Sequence, residues 1–203
     1  MAKKTSKRST KIDMTAMCDV AFLLLSFFVM TSTAKLPEPY PVDTPASTVQ
    51  QKLPESNLVT VTVGDKMVFF TIADRELRVA TLDKVAETYN IQFTAEQKKA
   101  FDLMDGFGVK VSELPALLNM KGSDRNKDGL QKGIPFDETD NQLKEWVLSA
   151  RFAAREIHNN ELKIAIKGDA EEQYPTIKKV IDILQEQKIN KFYLVTGLRG
   201  EDF

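Results

Sequence analysis

A single cysteine, Cys18, excludes an intramolecular disulfide, and a single histidine, His158, leaves no His/Cys set from which to build a zinc site. An excess of charge of either sign is also missing. The 203 residues hold 28 lysines and arginines against 29 aspartates and glutamates, so the chain as a whole carries no electrostatic signature of a nucleic-acid partner. No paired acid and base and no nucleophile motif stands out, which points away from an enzyme and from any cofactor. What the balance hides is placement. Residues 1–12 carry Lys3, Lys4, Lys7, Arg8 and Lys11 with no acid among them.

The next stretch, Met14 to Ala34, reads MTAMCDVAFLLLSFFVMTSTA. As a helix it is about 31 Å long, close to one bilayer crossing. The five upstream cations favour keeping the N-terminus in the cytoplasm and sending the C-terminal part of the chain outward. A basic start, an apolar core and the small residues Ser32-Thr33-Ala34 also fit a cleaved secretory signal. Asp19, at the edge of the apolar core, weakens a signal without any gain and favours a retained anchor.

Asp19 is the only ionisable acid or base in the stretch and the first candidate functional residue. A charged carboxylate in a helix core costs about 2.5–3.5 kcal/mol on insertion scales. The residue is therefore expected to be neutral, or to face a partner or a water-filled cavity, unless it merely reaches the interface. Ser26, seven residues on, falls on the same helical face and is a secondary candidate. Its hydroxyl either extends a polar stripe or bonds its own backbone.

Lys35 to Ser56 holds five of the eight prolines, Pro37, Pro39, Pro41, Pro45 and Pro54. This density excludes helix and predicts an extended linker, as a passive spacer or a recognition element. Beyond it, Leu58 to Ile72 alternates around Gly64-Asp65 and predicts a hairpin. Thr139-Asp140-Asn141-Gln142 reads as a capping box, opening a helix whose apolar face is Leu143, Trp146, Val147, Ala150, Ala154 and Ile157. Trp146 is expected in the core. His158, near the end of this helix, reads as a C-terminal cap rather than a base. Leu162, Ile164 and Ile166 alternate with Lys163, Ala165 and Lys167, giving a half-buried strand. Tyr174-Pro175 opens a helix carrying Ile177, Val180, Ile181 and Leu184, and Phe192 to Thr196 forms a last short strand. Two helices and four strands predict a small two-layer α+β sandwich.

Between these parts, Thr94-Ala95-Glu96-Gln97 caps a helix running to Met104, and Ser112 to Met120 makes another. Asp124-Arg125-Asn126-Lys127-Asp128-Gly129 copies the opening of an EF-hand loop, but Pro135 stands where the bidentate glutamate is needed, so a polar turn without metal is expected.

The run Ile12-Asp13-Met14-Thr15-Ala16-Met17-Cys18-Asp19-Val20-Ala21-Phe22-Leu23-Leu24-Leu25 resembles the N-terminal segment of the ExbD/TolR family. There the pattern is Asn-Met-Thr-Pro-Met, an apolar residue, the aspartate, then an aliphatic and Phe-rich helix. Asp13 stands for the Asn, Ala16 for the Pro and Cys18 for the apolar residue. The order Leu162 to Thr196, with Asp169 after the strand and Tyr174-Pro175 opening the helix, is similar to the family's C-terminal half.

This resemblance implies a basic cytoplasmic tail (1–12), a transmembrane helix (13–34), the Pro-rich linker (35–57) and a periplasmic α+β domain (58–203). Residues 74–138 then form a helical insertion, because the family's connection there is far shorter. On that reading, replacing Ala80–Gly133 by a short linker is expected to leave the fold intact. The resemblance further implies an inner-membrane energy transducer driven by the proton-motive force, with Asp19 and secondarily Ser26 in proton coupling. Its partners would be an ExbB/TolQ/MotA-like polytopic protein, a TonB/TolA-like periplasm-spanning protein and a second copy of the chain. The alternative is a membrane-tethered binding module for peptidoglycan or protein without proton coupling.

Overall fold

A computed structural model describes residues 14–32, 39–47, 52–54, 56–127 and 129–198. The basic segment 1–12, parts of the proline-rich stretch and Asp128 of the EF-hand-like run lie outside the described residues. The chain divides into two compact units between Leu36 and Pro37.

The first unit is helix α1, Met14–Thr31, with 18 residues. At about 1.5 Å per residue it spans about 27 Å, matching a hydrocarbon core. It is long and apolar enough to cross a membrane. None of its side chains is buried in the chain, so Phe22, Leu25, Phe28 and their neighbours present a continuous apolar surface. Surface of that kind is stable only against lipid or another apolar protein.

The second unit is built on a five-stranded sheet. Strands β2 (Leu58–Gly64) and β3 (Met67–Ile72) form the expected hairpin; β1, Ala46–Ser47, precedes them. Asp65 and Lys66 both take positive φ, 50° and 58°, which a two-residue turn between right-twisted strands requires. The Lys66 N–H donates to Glu172 Oε2 at 2.9 Å. Burial alone would raise the Glu172 carboxyl, but bonds from the Lys66 N–H, the Thr176 hydroxyl and the Gln173 N–H hold it below its ordinary value. A carboxyl with a depressed folded pKa stabilises above its unfolded range and loses that contribution on acidification.

Helix α2 (Arg75–Tyr89) comes next, then α3 (Ala95–Asp102), β4 (Gly106–Phe107), α4 (Leu114–Leu118) and the single turn α5 (Gly122–Arg125). Helix α6 (Gln142–His158), β5 (Lys163–Gly168), α7 (Tyr174–Glu186), β6 (Tyr193–Val195) and β7 (Gly197–Leu198) complete the unit. The sheet order is β4-β3-β2-β5-β6, and β5 runs parallel to both β2 and β6. Val61 lies beside Phe70 on one neighbour and Ile166 on the other, so one face of the sheet is a continuous apolar layer. Helices α2, α6 and α7 cover it with Leu82, Trp146 and Val180. This is the two-layer α+β arrangement.

Several boundaries differ from those the sequence suggests. Thr94 does cap α3 through a reciprocal box with Gln97. At α6, however, the capping residue is Asn141, whose side chain accepts from Lys144 N, and not Thr139. Strand β5 buries Ile164 and Ile166 and leaves Lys163 exposed, as the alternation suggests, but Ala165 on the other face is enclosed as well.

Part of that cover is the proline-rich stretch. Residues 39–47 are extended, as prolines dictate, but they are held to the sheet and do not stand clear as a spacer. Tyr40 stacks on Phe69 with ring centroids 5.0 Å apart, and Phe69 alternates away from the helix-covered face. The Ala170 N–H donates to Asp43 O at 2.7 Å, and β1 pairs in parallel with β7.

The stretch expected to be a dispensable insertion is part of the core. Leu77, Leu82, Val85, Phe101, Phe107, Leu114, Leu117 and Leu118 are all buried in the same cluster as Trp146. Phe107 lies 4.6 Å from Trp146 and Phe101 6.2 Å from it, ring to ring. The expectation that Ala80–Gly133 can be replaced does not survive this packing, because β4 is the sheet's edge strand beside β3. The sequence pattern predicts neither strand β4 nor helix α2.

Arg78 fastens this region. Buried in α2, it donates from Nε and Nη2 to Ile72 O, from Nη1 to Asp102 O and from Nη2 to Asp105 Oδ1 at 2.9 Å. It thus ties the end of β3 to the end of α3. Removing it takes two donors from the buried Ile72 carbonyl and one each from the part-buried Asp102 carbonyl and Asp105 carboxylate. Arg78→Ala is expected to lower stability by about 2–4 kcal/mol. A denaturant titration of the purified protein, followed by Trp146 fluorescence, reads this as a lower midpoint at unchanged slope.

Candidate functional site

Asp19 lies one turn and a half into α1 and is exposed along the helix. Among the described residues no side chain pairs with it. Ser26 is about 10 Å further along the axis and, at 100° per residue, only about 20° away around it. Its Oγ donates to Leu23 O at 2.9 Å. Of the two roles open to Ser26, backbone bonding is the one present. The hydroxyl still accepts, but its one donor is spent on Leu23 O, and at that separation it does not bond Asp19 directly.

The consequence is a helix with one carboxylate on an otherwise apolar cylinder. Such a group is either neutral, or charged where water or a partner reaches it. Both states are accessible to a carboxyl, which is what moving a proton across a membrane requires. No second acidic or basic side chain on α1 competes for that role among the described residues.

The other residues that drew attention in the sequence have structural places. Trp146 is fully buried, wedged among Phe70, Phe101 and Phe107. His158 closes α6, yet its Nε2 lies 2.9 Å from Asp74 Oδ2, the carboxylate that caps α2, and does not reach α6 carbonyls. Asp169 Oδ1 accepts from Glu171 N, making the turn into α7. In the EF-hand-like run, Asp124 sits in the α5 turn and pairs with Lys127 at 2.9 Å, while Asn126 Oδ1 accepts from Gln131 Nε2. Two of the oxygens an EF-hand would point at an ion are thus engaged by side chains of the protein. No cluster of three or more metal-binding side chains occurs among the described residues.

Arg78 was missed, although a signal was there. It sits in the buried stripe Leu77, Arg78, Thr81, Leu82, Val85, spaced as the apolar face of a helix. A cation at an apolar position marks a group that must find carbonyls or a carboxylate inside.

A family model described as "Biopolymer transport protein ExbD/TolR" matches residues 5–198. No curated protein and no solved structure matches the chain.

Proposed function

The chain belongs to the ExbD/TolR family of biopolymer transport proteins, and from that premise we propose that it is the single-span subunit of an energy transducer driven by the proton-motive force. The observation that carries this reading is Asp19, a lone carboxylate on a helix long enough to cross the bilayer. Alone in hydrocarbon it would stay protonated; beside a polytopic ExbB/TolQ-type partner that offers a water path from each side, it alternates between protonated and ionised. One elementary charge crossing the field gains about 2.3 kcal/mol per 100 mV. That is a small step, suited to repeated strokes rather than one large movement.

The outer unit passes that motion to a TonB- or TolA-like protein spanning the periplasm, and two copies of the chain act together. Its role is transduction, not catalysis. Dissipating the gradient with a protonophore is the direct test. Transport across the outer membrane should stop at once while the complex stays assembled; transport that continues unchanged would reject proton coupling.

The five cations of residues 1–12 favour a cytoplasmic N-terminus and a periplasmic second unit, with the inner membrane between. A reporter enzyme active only outside the cytoplasm should work when fused after Phe203. Mass spectrometry of the mature protein should still find the peptide bearing Asp19. A mature N-terminus at Lys35 would remove Asp19 and the mechanism with it.

A further inference from the structure

Helix α6 turns much of its surface inward, burying Leu143, Trp146, Val147, Ala150 and Ala154, and leaves one ridge uncovered. Glu145, Leu148, Phe152 and Arg155 follow one another along it at steps of three and four residues, the spacing of a single helical face. At its centre Leu148 is half-buried and Phe152 is 56% exposed. Its two ends carry opposite charge. Neither Glu145 nor Arg155 joins an ion pair among the described residues. Beside the ridge, between α6 and α2, lies an open hollow of about 500 Å³ that Leu148, Ser149 and Phe152 help to line.

The order of these residues is symmetric. Ala150 lies midway, with Leu148 and Phe152 two residues to either side of it and Glu145 and Arg155 five. We propose that this ridge is a surface through which two copies of the chain meet, α6 packed antiparallel on α6. About a two-fold axis at Ala150, Glu145 of each copy meets Arg155 of the other, and Phe152 of each packs on Leu148 of the other. The hollow beside Leu148 and Ser149 gives the incoming ring room. Lys144 and Glu156, six residues to either side, also come opposite with unlike charge, and each keeps its own partner, Glu186 and Lys84. A parallel arrangement would set Glu145 against Glu145 and Arg155 against Arg155, so the charges select the antiparallel one. A foreign helix needs no equal spacing about a centre; a second copy does. The ridge is about 15 Å long, too short to bury the roughly 800 Å² per partner of a standard interface. Such a contact is weak between free domains and effective between copies held on one membrane, where the local concentration is about millimolar. The inference rests on the reading that two copies act together and stands whether or not Asp19 moves protons.

The test uses full-length protein in uncharged detergent, its mass followed by light scattering, with unlabelled and isotope-labelled copies mixed. A zero-length carbodiimide joins a carboxylate to an amine only where the two touch. In Arg155→Lys it should link Glu145 of one copy to the new amine of the other, giving a cross-linked peptide of mixed label. Within one helix the two positions are about 15 Å apart and cannot join. Phe152→Ser in that background should lower the yield about tenfold while the melting temperature holds, because the ring is exposed. Reversing the ridge, Glu145→Lys with Arg155→Glu, should give the link again, since an isologous surface stays complementary when both its ends are exchanged. A dimeric protein without this link would overturn the inference and leave the two-copy reading standing. So would a yield that ignores Phe152→Ser, or no link in the reversed ridge. A protein monomeric at every concentration would reject the two-copy reading and the inference with it.

Discussion

Asp19→Asn is expected to abolish transport that depends on the proton gradient while leaving the protein in the membrane at normal levels. The amide keeps the size and polarity of the carboxyl, so α1 inserts at least as readily and presents the same shape to a partner helix. What disappears is the ability to hold and release a proton. Stability should hardly change, since no hydrogen bond or ion pair within the described residues depends on Asp19. Asp19→Glu keeps a titratable carboxyl one methylene further out and should retain partial activity if that group still meets the water path. Ser26→Ala should be milder than either change, because its hydroxyl already donates to Leu23 O and it carries no carboxyl to exchange a proton. Co-purification with the polytopic partner, measured beside uptake of a large nutrient, separates the outcomes. A fully active Asp19→Asn protein would end the coupling mechanism. An inactive one that also fails to assemble would make Asp19 a helix-packing contact and favour a simple tether.

Deleting Ala80–Gly133 in favour of a short Gly/Ser linker should destroy the second unit altogether. The deletion removes Leu82, Val85, Phe101, Phe107 and the leucines of α4 from the core, together with edge strand β4. Each of these side chains contributes about 1.5–3 kcal/mol through burial, and a domain's whole stability is about 5–15 kcal/mol. The losses outrun what the domain has. Limited proteolysis should therefore degrade the variant past Pro37, and its tryptophan emission should be that of a solvent-exposed indole. Phe107→Ala gives a graded version, at about 3–5 kcal/mol, since it leaves a cavity against Trp146. A deletion variant that stayed protease-resistant would show that the sheet and α6–α7 suffice, and that the helices of residues 75–125 are an appendage after all.

By itself the sequence determined the parts whose signal is local. A run of apolar residues as long as a bilayer is thick can be read without knowing any neighbour, and so can the one carboxylate inside it. Hairpin β2–β3, strand β5 and helix α7 are legible because a face buried on one side imposes a period of two or 3.6 on the chain. The Thr94 cap is legible because its partner Gln97 is three residues away. What only the tertiary structure decided are the features set by contacts far apart in sequence. Proline density predicts extension at 39–47, but not that Tyr40 would find Phe69. Ala165 looks like a solvent-side position until a second cover and two neighbouring strands enclose it. The helices after β3 read as an insertion because their own composition is unremarkable. Their burial is decided by Trp146 and Phe70, which lie in other elements, and by the Asp102 carbonyl that Arg78 reaches across 24 residues. Burial belongs to pairs of surfaces, and a sequence displays only one surface at a time.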